Sequence, residues 1–171
     1  MLSAKVLIER LGLVPLAVEG GLFRQTWLSS DRLSAEGLPV RYGRVKAAGS
    51  AIYYLLTDEP DSFSALHRLP TDEIYHFYLG DPVEMLLLHG GTFSERVTLG
   101  QDVLEGHHLQ FVVPRDTWQG SRLAPGGRFA LLGTTMAPAY DDQDYEGGDR
   151  AELVRRYPDQ ADRIRSLTRA P

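Results

Sequence analysis

Between Ser50 and Thr135 the chain repeats one pattern, a short aliphatic or aromatic run followed by turn chemistry. The runs are Ala51–Leu56, Ser64–Leu69, Glu73–Leu79, Val83–Leu88, Phe93–Thr98, Leu109–Val113, Trp118–Leu123 and Phe129–Thr135. Among the residues separating them are Asp58-Glu59-Pro60, Gly80-Asp81-Pro82, Gly90-Gly91 and Pro125-Gly126-Gly127. Short strands with such punctuation predict an all-β sandwich or barrel. No helical periodicity intervenes, which argues against parallel βαβ units.

The flanks differ. Ser3 is a candidate N-cap for a short helix carrying Val6, Leu7, Arg10 and Leu11, with Gly12 as its stop. Phe23–Leu28 reads as a further strand, and Ser29–Gly49 as a long polar loop. After the acidic, aromatic stretch Tyr140–Asp149, two helical pieces, Arg150–Tyr157 and Gln160–Leu167, are broken at Pro158. No repeat or internal boundary interrupts the 171 residues, which predicts one domain over 1–171.

A formal net charge of −5 gives no basic footprint for nucleic acid. Without cysteine there are no disulfides, thiolate ligands or thiol nucleophiles, which suits a reducing compartment. The N-terminal stretch carries charges where a secretory leader is apolar, and no apolar run reaches membrane-spanning length. The cytoplasm is the expected location.

The chemistry concentrates in His67–Gly80, HRLPTDEIYHFYLG. Alternation along a strand puts Glu73, Tyr75 and Phe77 on one face and Ile74, His76 and Tyr78 on the other. His67, on the preceding strand, comes within side-chain reach of Glu73 if both face inward. Such a pair can ligate a metal, act as acid and base, or form a buried hydrogen-bonded couple. In Val112–Leu123, Trp118 and Gln119 must face opposite ways, one offering an apolar wall and the other an amide.

Asp61–Gly80 resembles the first motif of the cupin superfamily, in which a glycine, a His-x-His pair, a glutamate and a closing glycine follow in order. His67, Glu73 and Gly80 fall in register. Asp61 stands for the opening glycine and Leu69 for the second histidine. Val113–Leu123 resembles the second motif through Pro114, with Asp116 for its glycine, Gln119 for its histidine and Leu123 for its asparagine. The single-domain branch numbered cupin family five is similar over nearly the whole chain. The shared stretches include Glu19-Gly20-Gly21-x-Phe23-Arg24, Ala51-Ile52-Tyr53, His67–Pro82, Gln110-x-Val112-Val113-Pro114, Thr117-Trp118-Gln119 and Ala137-Pro138.

The resemblance implies a double-stranded β-helix, the jelly-roll barrel of cupins, with short terminal helices, pairing as a homodimer. It implies an interior pocket for a small polar or anionic molecule, lined by His67, Glu73, Tyr75, and Gln110 or Gln119. Arg24 could meet a phosphate or carboxylate, and Trp118 and His76 complete the candidate ligand contacts. Metal-binding cupins surround a divalent ion with three histidines and a glutamate. Here His67 and Glu73 would keep two places, Leu69 cannot coordinate, and Gln119 offers only an amide.

No cofactor is therefore expected, and a divalent-metal enzyme is the second alternative. Metal-free epimerases of the superfamily use a histidine base and a tyrosine acid beside a carbonyl. The leading reading assigns those roles to His67 and Tyr75, with Glu73 as the charge partner, on a sugar-like substrate. The first alternative is a non-catalytic binding or sensing module. His89 and the His107-His108 doublet read as turn or surface residues, Trp27 and Trp118 as core, and the acidic run from Asp141 as solvated or a dimer contact.

Overall fold

The computed structural model describes residues 2–169. Ser3 caps α1 (Ala4–Leu11) by accepting a hydrogen bond from the Val6 amide, and Gly12 ends it in the left-handed region at φ 61°. The strands are β1 (Val14–Pro15), β2 (Leu22–Leu28), β3 (Arg32–Leu33), β4 (Lys46–Ala47), β5 (Ser50–Thr57), β6 (Ser64–Arg68), β7 (Glu73–Gly80), β8 (Val83–Leu88), β9 (Ser94–Leu99), β10 (Gln110–Val113), β11 (Trp118–Leu123), β12 (Phe129–Met136) and β13 (Glu146–Gly147). Helices α2 (Arg150–Arg156) and α3 (Ala161–Ser166) follow, separated by a 3₁₀ turn at Pro158–Gln160.

Two antiparallel sheets face each other, with strand orders β1-β2-β5-β12-β7-β10 and β13-β6-β11-β8-β9. From β5 to β12 the chain changes sheet at every connection except the β8–β9 hairpin. That alternation makes the architecture a jelly roll. The expected strands are all present, with Val83–Leu88 and Trp118–Leu123 at their expected limits.

Three apolar clusters hold the layers. Between the sheets lie Tyr54, Leu56, Tyr75, Phe77, Val83, Met85, Leu87, Val97, Leu99 and Leu132. Outside the five-stranded sheet, Leu66, Leu86, Leu88 and Trp118 pack under Leu153, Tyr157 and Ile164 of the C-terminal helical region. Outside the other sheet, Leu55, Phe129 and Leu131 pack beneath Leu7 of α1. Trp27 departs from expectation. It is half exposed and lies over Gly49, where its ring occupies the space a β-carbon would take.

The segment 29–49 is not a free loop. Its β3–β4 ribbon delivers Lys46, 2% exposed, to Asp144, and Arg44 bonds the same carboxylate. Tyr42 is buried and hydrogen-bonds Thr71 at 2.8 Å. The acidic run is therefore not uniformly solvated, because Asp144 is a buried charge that needs these two cations.

Candidate functional site

The register of β6 against β11 pairs His67 with Gln119. Cross-strand partners share a face, so both enter the space between the sheets. Glu73 arrives from the opposite sheet at the start of β7 and accepts a hydrogen bond from Gln119 Nε2 at 2.8 Å. Tyr75 follows two residues later on the same face and is almost completely buried. Thus His67, Glu73, Tyr75 and Gln119 converge.

Their environment sets their chemistry. Burial and the nearby Glu19 carboxylate raise the pKa of Glu73, while His67 and hydrogen bonds from Thr134 and Gln119 oppose the rise. Burial, with Glu73 and Glu19 adding to it, holds the Tyr75 hydroxyl well above its usual range. Tyr54 is raised by burial and by Glu19 in the same way. His67 Nδ1 lies 2.8 Å from the Ala65 carbonyl oxygen, which can only accept. The proton of the neutral ring therefore sits on Nδ1, leaving Nε2 as the basic nitrogen.

Glu19, given no role in the sequence beyond opening a stretch shared with the family, belongs to this constellation. Its Oε1 accepts a hydrogen bond from Ser64 Oγ at 2.6 Å. The following glycines make the turn that delivers it. Gly21 has φ 68°, and a β-carbon there would meet the Tyr54 hydroxyl at 2.8 Å. Tyr54 in turn donates to the Gly20 carbonyl at 2.9 Å. Its signal in the sequence is a carboxylate preceding two glycines at the head of that shared stretch.

Tyr145 is another such residue. It stacks on the His67 ring with centroids 5.2 Å apart, and burial pushes its hydroxyl up to about 12. The buried pairing of Asp144 with Lys46 and the pairing of β13 with β6 fix its position from either side.

A cavity of about 70 Å³ opens beside Glu73, with Glu19, Gln25, Ser50, Thr134 and Tyr140 as its other polar lining. Leu16, Phe23, Ile52, Leu69 and Met136 form the walls. Gln119 Oε1 and Ser121 Oγ are buried without a hydrogen-bond partner on the inward face of β11. Unpaired polar atoms in so dry a place are costly unless something else meets them.

Four expected contacts lie elsewhere. Arg24 is exposed on the outer face of β2, over the Tyr53 ring, because Phe23 and Gln25 take the inward positions. Gln110 is exposed on the outer face of β10 and bonds His76 Nδ1 at 3.2 Å. His76 points outward too, its Nε2 3.2 Å from Thr135 Oγ1. Trp118 faces away from the pocket into the layer beneath the C-terminal helices, with Arg68 stacked over it at 4.7 Å. Alternation decides each case. The inward members of these strands are Phe111 and Val113, Glu73 and Tyr75, and Gln119.

The donor set does not fit a divalent ion held as in metal-binding cupins. Leu69 occupies a ligand position and is buried, and the Gln119 amide nitrogen is turned to Glu73. Among the described residues no three His, Cys, Asp or Glu side chains gather closely enough to share an ion.

The fold and this interior constellation define a cupin-type barrel. The family model described as Cupin superfamily (DUF985) matches residues 5–147, and the chain belongs to that family. No curated protein matches it. Among solved structures, a hypothetical protein from Leishmania major is 29% identical, with a TM-score of 0.85 over 99% of this chain and 100% of that one. A protein from Shewanella oneidensis is 27% identical, also with a TM-score of 0.85, covering both chains fully (100% and 100%). An L-ribose isomerase of Acinetobacter sp. DL28, in complex with L-ribose, is 12% identical, with a TM-score of 0.50 over 72% of this chain and 61% of its own. That last likeness is one of fold alone. Among the described residues no helix is long and apolar enough to cross a membrane.

Proposed function

We propose that this protein binds a small, carbonyl-bearing, sugar-like molecule between its sheets and moves a proton on it without a metal, as an epimerase or isomerase. The observation that carries this reading is the His67 ring, whose Nδ1 is committed to the Ala65 carbonyl. Nε2 is then the base, in an interior shared with Glu73 and Tyr75. In this reading Nε2 takes the proton from the carbon beside the carbonyl, and the electron pair moves onto the carbonyl oxygen. Tyr75, kept protonated by burial and by two carboxylates, donates a hydrogen bond to that oxygen. Return of the proton to the opposite face of the same carbon gives the epimer; its delivery to the former carbonyl carbon, with the adjacent hydroxyl proton passing to the former carbonyl oxygen, gives the isomer.

A second reading is a binding or sensing module that releases its ligand unchanged. The near-complete closure of His67 beneath Tyr145 favours it. One experiment separates the two. Short-chain aldoses and ketoses are incubated with the protein in deuterated water, and loss of the α-proton signal is followed by NMR. The wild type is expected to exchange that proton, and His67→Gln to fall to background. Ligands that raise thermal stability yet keep their protons would leave the binding module standing instead.

A further inference from the structure

We infer, resting on that reading of the same pocket, that its ligand is a neutral, hydroxyl-rich carbonyl compound, and that Glu19 makes the site reject carboxylates and phosphates. The cavity lining has two carboxylates, Glu19 and Glu73, together with Gln25, Ser50, Thr134 and Tyr140, and no lysine or arginine. From the facing sheet, Gln119 Oε1 and Ser121 Oγ stand unpartnered in the interior. Gln119 is 2% exposed and Ser121 1%, so bulk water does not reach them and they are free to meet a ligand group or an ordered interior water.

The cations nearby have other partners. Lys46 and Arg44 are held by Asp144, and Arg68 by Glu146. Arg169 stacks on Phe63 at 4.6 Å and directs its guanidinium to the backbone carbonyls of Glu19 and Asp61. Arg24 lies on the outer face over Tyr53. Among the described residues, His67 alone brings a group to this interior that can become a cation, and the proposed reaction uses it as a neutral base.

The consequence is a site of acceptors. Hydroxyl groups donate strong, charge-assisted hydrogen bonds to carboxylates and ordinary ones to an amide oxygen. An incoming carboxylate or phosphate would instead enter a low-dielectric space against the Glu19 and Glu73 carboxyl groups, with no guanidinium to receive it. The Glu19–Ser64 hydrogen bond and the double-glycine turn hold the carboxylate in place, so it cannot swing away to admit an anion.

The test titrates isotope-labelled full-length protein with dihydroxyacetone and dihydroxyacetone phosphate, following the Gln119 side-chain resonances. The neutral ketose should shift them and bind at least about tenfold more tightly than its phosphate ester. In Glu19→Gln, an uncharged variant of nearly the same shape, that ratio should shrink while the backbone spectrum stays folded. The proposal is overturned if the phosphate binds as tightly as the ketose, or if the ketose leaves Gln119 unmoved. Should the variant fail to fold, the wild-type ratio still decides. Binding of the neutral ketose without proton exchange breaks only the isomerase reading. Proton exchange on the phosphate ester breaks only this inference.

Discussion

One gap between two sheets is filled in two ways. In one part Val83, Met85, Leu87, Val97, Leu99 and Leu132 interdigitate as an ordinary apolar core. In the other, on β6, β7, β11 and the later part of β12, stand His67, Glu73, Gln119, Ser121 and Thr134, all buried. Neighbouring residues make the contrast sharp. Gln119 pairs with Leu87, and Thr134 follows two residues after Leu132 on the inward face of β12. Burying aliphatic groups is what drives the sheets together. Burying carboxylates and amides beside them works against folding unless they are paired, and two atoms here are not. Polar groups gathered at a cost to stability point to a use other than stability.

The largest effect expected on stability comes from the apolar half. Leu132→Ala should cost about 2–5 kcal/mol in urea unfolding, while the affinity of the folded fraction for its ligand is unchanged. Gln119→Leu should cost less, about 1–3 kcal/mol, because Glu73 loses a donor while an unpaired oxygen is removed with it. Its ligand affinity should nevertheless be lost. If the two variants reversed these roles in calorimetry, the division of the interior would be wrong.

The smallest expected effect is a slope with pH. The native pKa of Glu73 is raised, chiefly by burial, so between its unfolded and native values the folded state holds the extra proton. Stability from this group is therefore fully present below the ordinary carboxylate value and declines as pH rises through the native one. Glu73→Gln should flatten that part of the stability curve. An unchanged slope in the variant would mean that another group titrates there.

Much of the architecture was legible because strand alternation and turn chemistry are local. The helix from Ser3 to Gly12 could be read from its cap and its stop, since both act within one turn. The inward set Glu73, Tyr75, Phe77 followed from a period of two. The same rule was silent on which of Trp118 and Gln119 faces inward, because alternation gives two faces and does not say which is covered. Arg24 and Gln110 went astray for that reason. The roles of Glu19 and Tyr145 were not legible because they lie in a turn and an irregular tail, where no period applies, and reach the site across long separations in the chain.

What the amino-acid order determined alone is the class of fold and the identity of the central histidine and carboxylate. Each rests on patterns spanning a few residues. What tertiary structure decided is which face of each strand is dry, which distant groups join the site, and which polar atoms are left without partners. Those outcomes depend on how two sheets and their covering helices divide the surface, and that division is a property of the assembled layers.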